Sequence, residues 1–175
     1  SMLKLFCPNY YIHSYRALTA SYLKEHGITM LLCDIDNTMV AHDEPLPDRD
    51  VHTFVESMKN AGIRIVFISN NVEERVQRFV SELDVAGYSF AMKPLPKTYR
   101  RIVKDFALSK QEVAVLGDQL LTDMLGANLM GFYTILSAPV VERDLSFTKF
   151  NRFFEAIIFR LLKLSGRLTK GEFDD

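Results

Sequence analysis

The sequence predicts an α/β fold: a parallel sheet of about five strands with helices on both faces. Two observations predict it. Short apolar runs ending in small or polar residues recur along the chain, and segments with helical spacing separate them. The runs are continuous rather than alternating, as a strand buried on both faces requires. The length, 175 residues with 48% hydrophobic and 25% charged, suits one domain that buries its own core.

The strands are read at 30–35, 64–69, 89–92, 113–117 and 132–136. A helix over 48–61 places Val51, Phe54, Val55 and Met58 on one face, with Asp48 as N-cap and Gly62 as its stop. Over 72–83, Val72, Val76, Phe79, Val80 and Leu83 form one stripe, and Gly87 marks a turn before the next strand. Shorter helices are expected over 97–106 and over 122–130, the latter capped by Thr122. Helical segments at 15–26 and 149–164 flank this unit, and 166–175 reads as a frayed tail. The chain therefore divides into an N-terminal helical segment packed on the core (1–27), the core (28–141), and a C-terminal amphipathic helix with its tail (142–175), all one domain.

Composition excludes several functions. A net charge of −1 gives no basic balance for a nucleic-acid partner. Cys7 and Cys33 offer neither a disulfide framework nor zinc-ligand spacing, so a reducing cytoplasm is the expected compartment. No apolar run approaches the roughly 18 residues that span a bilayer, and no signal-peptide pattern opens the chain. The sequence contains no GxxxxGK, GxGxxG or HExxH, and neither cysteine precedes an arginine at phosphatase-loop spacing. His13, His26, His42 and His52 are expected at the surface or half-buried.

In open α/β sheets, ligands bind beyond the carboxyl ends of the strands. The first of the five strands ends in Asp34-Ile35-Asp36-Asn37-Thr38, the second in Ser69-Asn70-Asn71. Lys93-Pro94 follows the third, and Gly117-Asp118 ends the fourth, with Asp123 five residues on. Carboxylates crowded in this way repel, by about 4 kcal/mol per pair at ~4 Å in an effective dielectric of 20. A hard divalent cation resolves the conflict, and Mg²⁺ is commonly held by one or two carboxylates with phosphate oxygens and water. A lysine and a hydroxyl beside it suit the remaining phosphate oxygens. The residues point to phosphoryl chemistry. Taken singly, Asn70 also reads as a turn residue, Asp123 as support for the first turn of its helix, and Lys97 as a competitor for Lys93.

Asp34-x-Asp36-x-Thr38, Ser69-Asn70, Lys93-Pro94 and Gly117-Asp118 through Asp123, in that order, resemble the four motifs of the haloacid dehalogenase (HAD) superfamily of phosphohydrolases, over about residues 28–137. The resemblance implies a three-layer Rossmann-like core and a role for each residue. Asp34 would be the nucleophile that forms an aspartyl-phosphate, and Asp36 the acid that protonates the leaving oxygen and then activates water. Thr38 would support the loop. Ser69 and Asn70 would bind the phosphoryl group, and Lys93 would neutralise its charge. Asp118 would hold Mg²⁺ together with Asp34 and the Asp36 carbonyl, with Asp123 as an outer metal partner.

The connections 39–47 and 71–93 leave no room for a cap domain, so the chain resembles the capless subclass IIIA. Within it, Gly27-Ile28, Lys93-Pro94-Leu95, Gly117-Asp118-Gln119 and a Phe-Asn-Arg near the C-terminus resemble the bacterial YqeG type. That type is similar to mitochondrial phosphatidylglycerophosphate phosphatases, which implies a phospholipid substrate by analogy. An uncapped site also admits a homo-oligomer that covers it. The C-terminal stripe of Phe150, Phe153, Phe154, Ile157, Ile158, Leu161 and Leu162 lies in a basic stretch. It is expected to pack on the core or a second subunit, with peripheral membrane contact through 149–164 as the alternative. The rival functions are a phospho-accepting receiver domain and a catalytically idle interaction module.

Overall fold

The computed structural model describes residues 2–141 and 146–166, with side chains for 2–141 and 155–166. Six parallel strands form one sheet: β1 (Tyr10–Ile12), β2 (Met30–Cys33), β3 (Arg64–Ile68), β4 (Ala86–Tyr88), β5 (Val113–Gly117) and β6 (Tyr133–Ser137). Their order is β1-β6-β5-β2-β3-β4, and every neighbouring pair is parallel. Successive side chains of a strand point to opposite faces. Accordingly Leu31, Cys33, Ile65, Phe67, Ala114 and Leu116 fill one core, while Met30, Leu32, Val66, Ile68, Val113 and Val115 fill the other.

Three helices cover the first face: α1 (Ala20–Glu25), α2 (Arg49–Asn60) and α3 (Glu73–Ser81). They bury Leu23, Val51, Phe54, Val55, Met58, Val76, Phe79 and Val80 there. α2 starts where expected, with the Asp48 carboxylate accepting from the Val51 N–H at 2.9 Å. The second face is covered by α4 (Lys97–Asp105) and α5 (Leu125–Met130), through Tyr99, Ile102 and Ala127. Neither the 39–47 connection nor 71–93 contains a further domain. The four histidines are exposed, and Cys33 is buried, its thiol pushed up by that burial.

The structure departs from the expectations in four places. The sheet has a sixth strand, β1, at its edge beside β6. Asn9 ties it there, its side-chain oxygen accepting from the Thr134 N–H at 2.9 Å and from the Thr134 hydroxyl at 3.0 Å. Three residues are too short to show a period. The helix expected over 15–26 is broken: a single 3-10 turn at Tyr15–Ala17 precedes α1, whose N-cap Thr19 accepts from the Tyr22 N–H at 3.1 Å. Thr122 is not an N-cap. It lies inside a π-type turn, Leu120–Met124, and its hydroxyl donates to the Gln119 side chain at 3.0 Å. Finally β4 is Ala86–Tyr88 rather than 89–92, so Gly87 is the middle of a strand and not a turn. The edge strand lies so close to α3 that a Cβ at Gly87 would sit 2.8 Å from Val76 Cγ1 and 2.9 Å from Val80 Cγ1.

The last helix, α6 (Ser146–Leu164), packs on the turn at 120–124 and on the 3-10 turn Met2–Phe6. Leu162 is fully buried against Tyr11, Leu120, Met124 and Leu136, with Ile158 and Phe159 beside it. The Glu155 carboxylate accepts from the Leu121 N–H at 3.2 Å. One side of the expected stripe therefore packs on the core, while Ile157 and Leu161 stay 48% and 49% exposed. The side chains of Phe150, Phe153 and Phe154, and the tail from 167, lie outside the described residues. Among the described residues, no helix is long and apolar enough to cross a membrane.

The close approach at Gly87 gives a prediction. Gly87→Ala forces α3 away from β4 and lowers stability by about 1–3 kcal/mol, read as a shift of the urea midpoint. An unchanged midpoint would mean that α3 yields without cost.

Candidate active site

The loop after β2 places two carboxylates at the carboxyl end of the sheet. The Asp34 N–H continues the ladder to Leu116 O at 3.0 Å, and the chain then turns back, with Thr38 and Met39 N–H donating to Ile35 O at 3.3 and 3.0 Å. Asn37 makes this turn at φ 64°, a conformation that Asn tolerates better than most residues. Asn37 also anchors the chain beyond β6: its side chain exchanges hydrogen bonds with Val141 N–H and C=O, and its carbonyl accepts from Val140 N–H at 2.9 Å.

Lys93 stands at the centre of the site. Its ammonium donates to Asp34 Oδ1 at 3.2 Å, to Asp123 Oδ1 at 2.8 Å and to the Ile68 carbonyl at 3.1 Å. Asn70 fixes its backbone, accepting from the Lys93 N–H at 2.7 Å and donating to the Lys93 carbonyl at 3.1 Å. The second oxygen of Asp123 accepts from the Gln119 N–H at 3.1 Å. Asp123 reaches this place because residue 117 has no side chain. A Cβ on Gly117 would lie 2.4–2.5 Å from the Asp123 side chain, an impossible contact. On the other side of Asp34, the Thr38 hydroxyl lies 3.4 Å from Asp34 Oδ2 and 3.2 Å from Asp118 Oδ1. Lys97, the competitor for Lys93, is exposed at the start of α4.

Asp36 is held from the other wall. Arg75 approaches its Oδ1 with Nε at 3.3 Å and Nη2 at 3.1 Å, and Asn71 donates to its Oδ2 at 3.1 Å. The Ser69 hydroxyl accepts from the Asn71 N–H at 3.0 Å, which shapes the turn after β3. Asp34, Asp36, Ser69, Asn70 and Lys93 line an open cleft of about 290 Å³, together with Asn71, Gln119 and Thr122. Asp118 lines a second cleft, of about 150 Å³, toward α6.

Four buried carboxylates share this sheet edge: Asp34, Asp36, Asp118 and Asp123. Among the described residues Lys93 pairs with Asp34 and Asp123, and Arg75 with Asp36. Burial pushes the Asp34 carboxyl well above its ordinary value. Lys93 works against that shift, and Asp123, Asp118 and Asp36 add to it. For Lys93, burial favours the neutral amine, but Asp123 and Asp34 outweigh it and hold the ammonium charged. Asp34, Asp118 and Asp123 each offer a carboxylate oxygen within 4.8 Å of the others.

The structure thus gathers Asp34, Asp36, Thr38, Ser69, Asn70, Lys93, Asp118 and Asp123 at one edge of the sheet. Asn70 contacts the Lys93 backbone as well as lining the cleft, and Asp123 pairs with Lys93. Arg75 and Asn71, which hold Asp36, were not among the candidate site residues, and Arg75 was not singled out at all. Its one signal is a cation in the first turn of a helix, where the dipole favours acids such as Glu73 and Glu74.

A family model of haloacid dehalogenase-like hydrolases matches residues 5–131. The chain is 38% identical over 165 residues to the protein named "Probable phosphatase YqeG" of Bacillus subtilis (strain 168), covering 94% of this chain and 96% of that one. Among solved structures, CbbY from Rhodobacter sphaeroides in complex with phosphate superposes with a TM-score of 0.53 at 15% identity, covering 69% of this chain and 90% of that one. The cobalt-bound deoxy-D-mannose-octulosonate 8-phosphate phosphatase YrbI of Haemophilus influenzae superposes at 0.52 with 12% identity, covering 78% and 90%. At such identities the two structures support the fold alone. With the family match over most of its length and its four motifs at one sheet edge, the chain belongs to the haloacid dehalogenase-like hydrolases.

Proposed function

We propose that this hydrolase is a Mg²⁺-dependent phosphomonoester phosphatase that works through an aspartyl-phosphate. The observation that carries the reading is Asp34, at the mouth of the cleft, with one oxygen on Lys93 and the other toward Thr38 and Asp118. An oxygen of Asp34 bonds to phosphorus as the bond to the ester oxygen breaks. Asp36 gives its proton to that oxygen, which leaves as an alcohol. Asp36 then takes a proton from water, whose oxygen attacks the phosphorus, frees inorganic phosphate and restores Asp34. The Ser69 hydroxyl lines the same cleft and is the donor for a phosphoryl oxygen, and the Lys93 charge beside Asp34 offsets the charge of that group.

The donor set fits a hard divalent cation. Asp34, Asp118 and Asp123 are buried with carboxylate oxygens within 4.8 Å of one another, and every candidate ligand is oxygen. Both oxygens of Asp123 already accept hydrogen bonds, from Lys93 and from the Gln119 N–H. Asp34, Asp118 and the Asp36 carbonyl are the proposed ligands, as the family resemblance implies, with Asp123 as the outer partner. When bound, Mg²⁺ would supply charge neutralisation between Asp34 and the phosphoryl oxygens.

For the substrate, a lipid phosphate such as phosphatidylglycerophosphate is our reading. It rests on the YqeG-type resemblance, on an open cleft with no cap, and on exposed Ile157 and Leu161 of the basic helix α6. In this reading 149–164 also touches the membrane surface.

The raised Asp34 sets the sign of a stability test. Without metal, the native state takes up the Asp34 proton more readily than the unfolded state. Its contribution to stability is present at acid pH and is lost as pH rises through the raised value. In chelator at neutral pH, Asp34→Asn should therefore be more stable than wild type by on the order of 1 kcal/mol, or roughly 2–4 °C. The advantage should vanish below about pH 4. Millimolar Mg²⁺ should raise the wild-type midpoint more than that of the variant.

The activity test is phosphate release from p-nitrophenyl phosphate with Mg²⁺. Asp34→Asn should abolish it, and Asp36→Asn should slow it by about 10²–10⁴-fold. Full activity in Asp34→Asn would overturn the mechanism. Stable labelling by acetyl phosphate without turnover would make the chain a phospho-acceptor instead. A panel of phosphatidylglycerophosphate vesicles, nucleotides, sugar phosphates and phosphopeptides tests the substrate, and preference for a small sugar phosphate would remove the lipid reading.

A further inference from the structure

We propose that Arg75 is a positioning residue: it sets the direction in which the Asp36 carboxyl faces the leaving group. This rests on the acid–base role proposed for Asp36. Arg75 places both Nε and Nη2 on one oxygen, Asp36 Oδ1, at 3.3 and 3.1 Å. Asn71 holds the other oxygen at 3.1 Å. The carboxyl is thus clamped at both oxygens by α3 and the turn before it, while its backbone belongs to the loop after β2. Asn71 lines the cleft with Asp36, and Arg75 is not among the lining residues. The polar contact that the structure gives Arg75 is Asp36, through which it would act.

Three physical points separate this pair from an ordinary stabilising ion pair. First, both side chains are only 11% exposed. Buried ion pairs seldom repay their desolvation, so the pair is poorly explained by stability alone. Second, Arg75 lies in the first turn of α3, where the helix dipole disfavours a cation, and its neighbours Glu73 and Glu74 follow the opposite rule. Third, its remaining nitrogen, Nη1, is buried without a hydrogen-bond partner. The guanidinium thus places two donors on one oxygen of Asp36 and leaves its third nitrogen unpaired. The guanidinium is also fixed from its other side, with its carbon 5.5 Å from the Phe79 ring centroid, and Phe79 packs edge-on against Phe67 of β3. The sheet itself thereby sets the position of the clamp.

Positioning of a proton donor has a readout that general destabilisation lacks. Loss of a well-placed acid slows esters of poorly leaving alcohols more than esters of good ones. Wild type, Arg75→Met, Arg75→Lys and Asp36→Asn would be assayed with Mg²⁺ on ethyl phosphate and p-nitrophenyl phosphate. The ratio of the two kcat values is taken within one preparation, so inactive protein cancels. We expect Asp36→Asn to lower the ratio most and Arg75→Met to lower it by roughly tenfold or more. Arg75→Lys, which keeps the charge and loses the fork, should fall between Arg75→Met and wild type, and KM should stay near wild type throughout. If Asp36→Asn lowers the ratio and the Arg75 variants leave it at the wild-type value, Arg75 does not position the acid. A rise in KM with an unchanged ratio would make it a substrate contact and overturn the inference. An unchanged ratio in Asp36→Asn would instead show that the acid–base reading beneath the inference has failed.

Discussion

The site depends on one ammonium group placed between two carboxylates. Lys93 touches Asp34 at 3.2 Å and Asp123 at 2.8 Å while its third donor goes to Ile68 O. Carboxylates so close, and buried, could not share the strand ends without a cation between them. Other features follow from keeping that cation in place. Asn70 bonds both backbone polar groups of Lys93. Gly117 lacks the Cβ that would collide with Asp123. Tyr99, buried on α4 near Lys93, has its hydroxyl held neutral chiefly by burial.

Topology explains why the residues converge. From β2 the chain runs outward to β3 and β4, then crosses back to β5 and β6 on the other side. β2 is thus the switch point of the sheet, where such folds open a crevice at the carboxyl ends. Asp34 follows β2, Ser69 follows β3 and Asp118 follows β5, so three neighbouring strands each deliver one polar residue. Asn37 closes the arrangement by hydrogen-bonding the chain just beyond β6.

The legible parts of the sequence were those whose physics is local or strictly periodic. β2 reads as a strand because all four of its residues are buried, and α2 reads as a helix because its apolar spacing, cap and stop agree. The motif carboxylates stood out because each interrupts an apolar run at its end. β1 was hidden because its place is fixed by distant partners, Asn9 on Thr134 and the Asn128 side chain on the carbonyls of Leu5 and Cys7. Gly87 looked like a turn because its reason lies across space, in Val76 and Val80. Arg75 was hidden for the same cause: nothing along the chain connects it with Asp36, thirty-nine residues away.

The two cations of the site divide its work according to their shape. A lysine ammonium is a compact point charge with three donors, suited to a position between several oxygens. Lys93 is used in that way, on two carboxylates and a carbonyl. An arginine presents a planar fork whose direction is fixed, suited to orienting a single carboxylate. Arg75 is used in that way, on one oxygen of Asp36, with its guanidinium carbon over the Phe79 ring. Exchanging the two would leave the net charge unchanged but would break both sets of contacts. The charge of the cleft is therefore only half of its description. The other half, in the mechanism proposed above, is which carboxylate would attack phosphorus and which would turn toward a leaving oxygen.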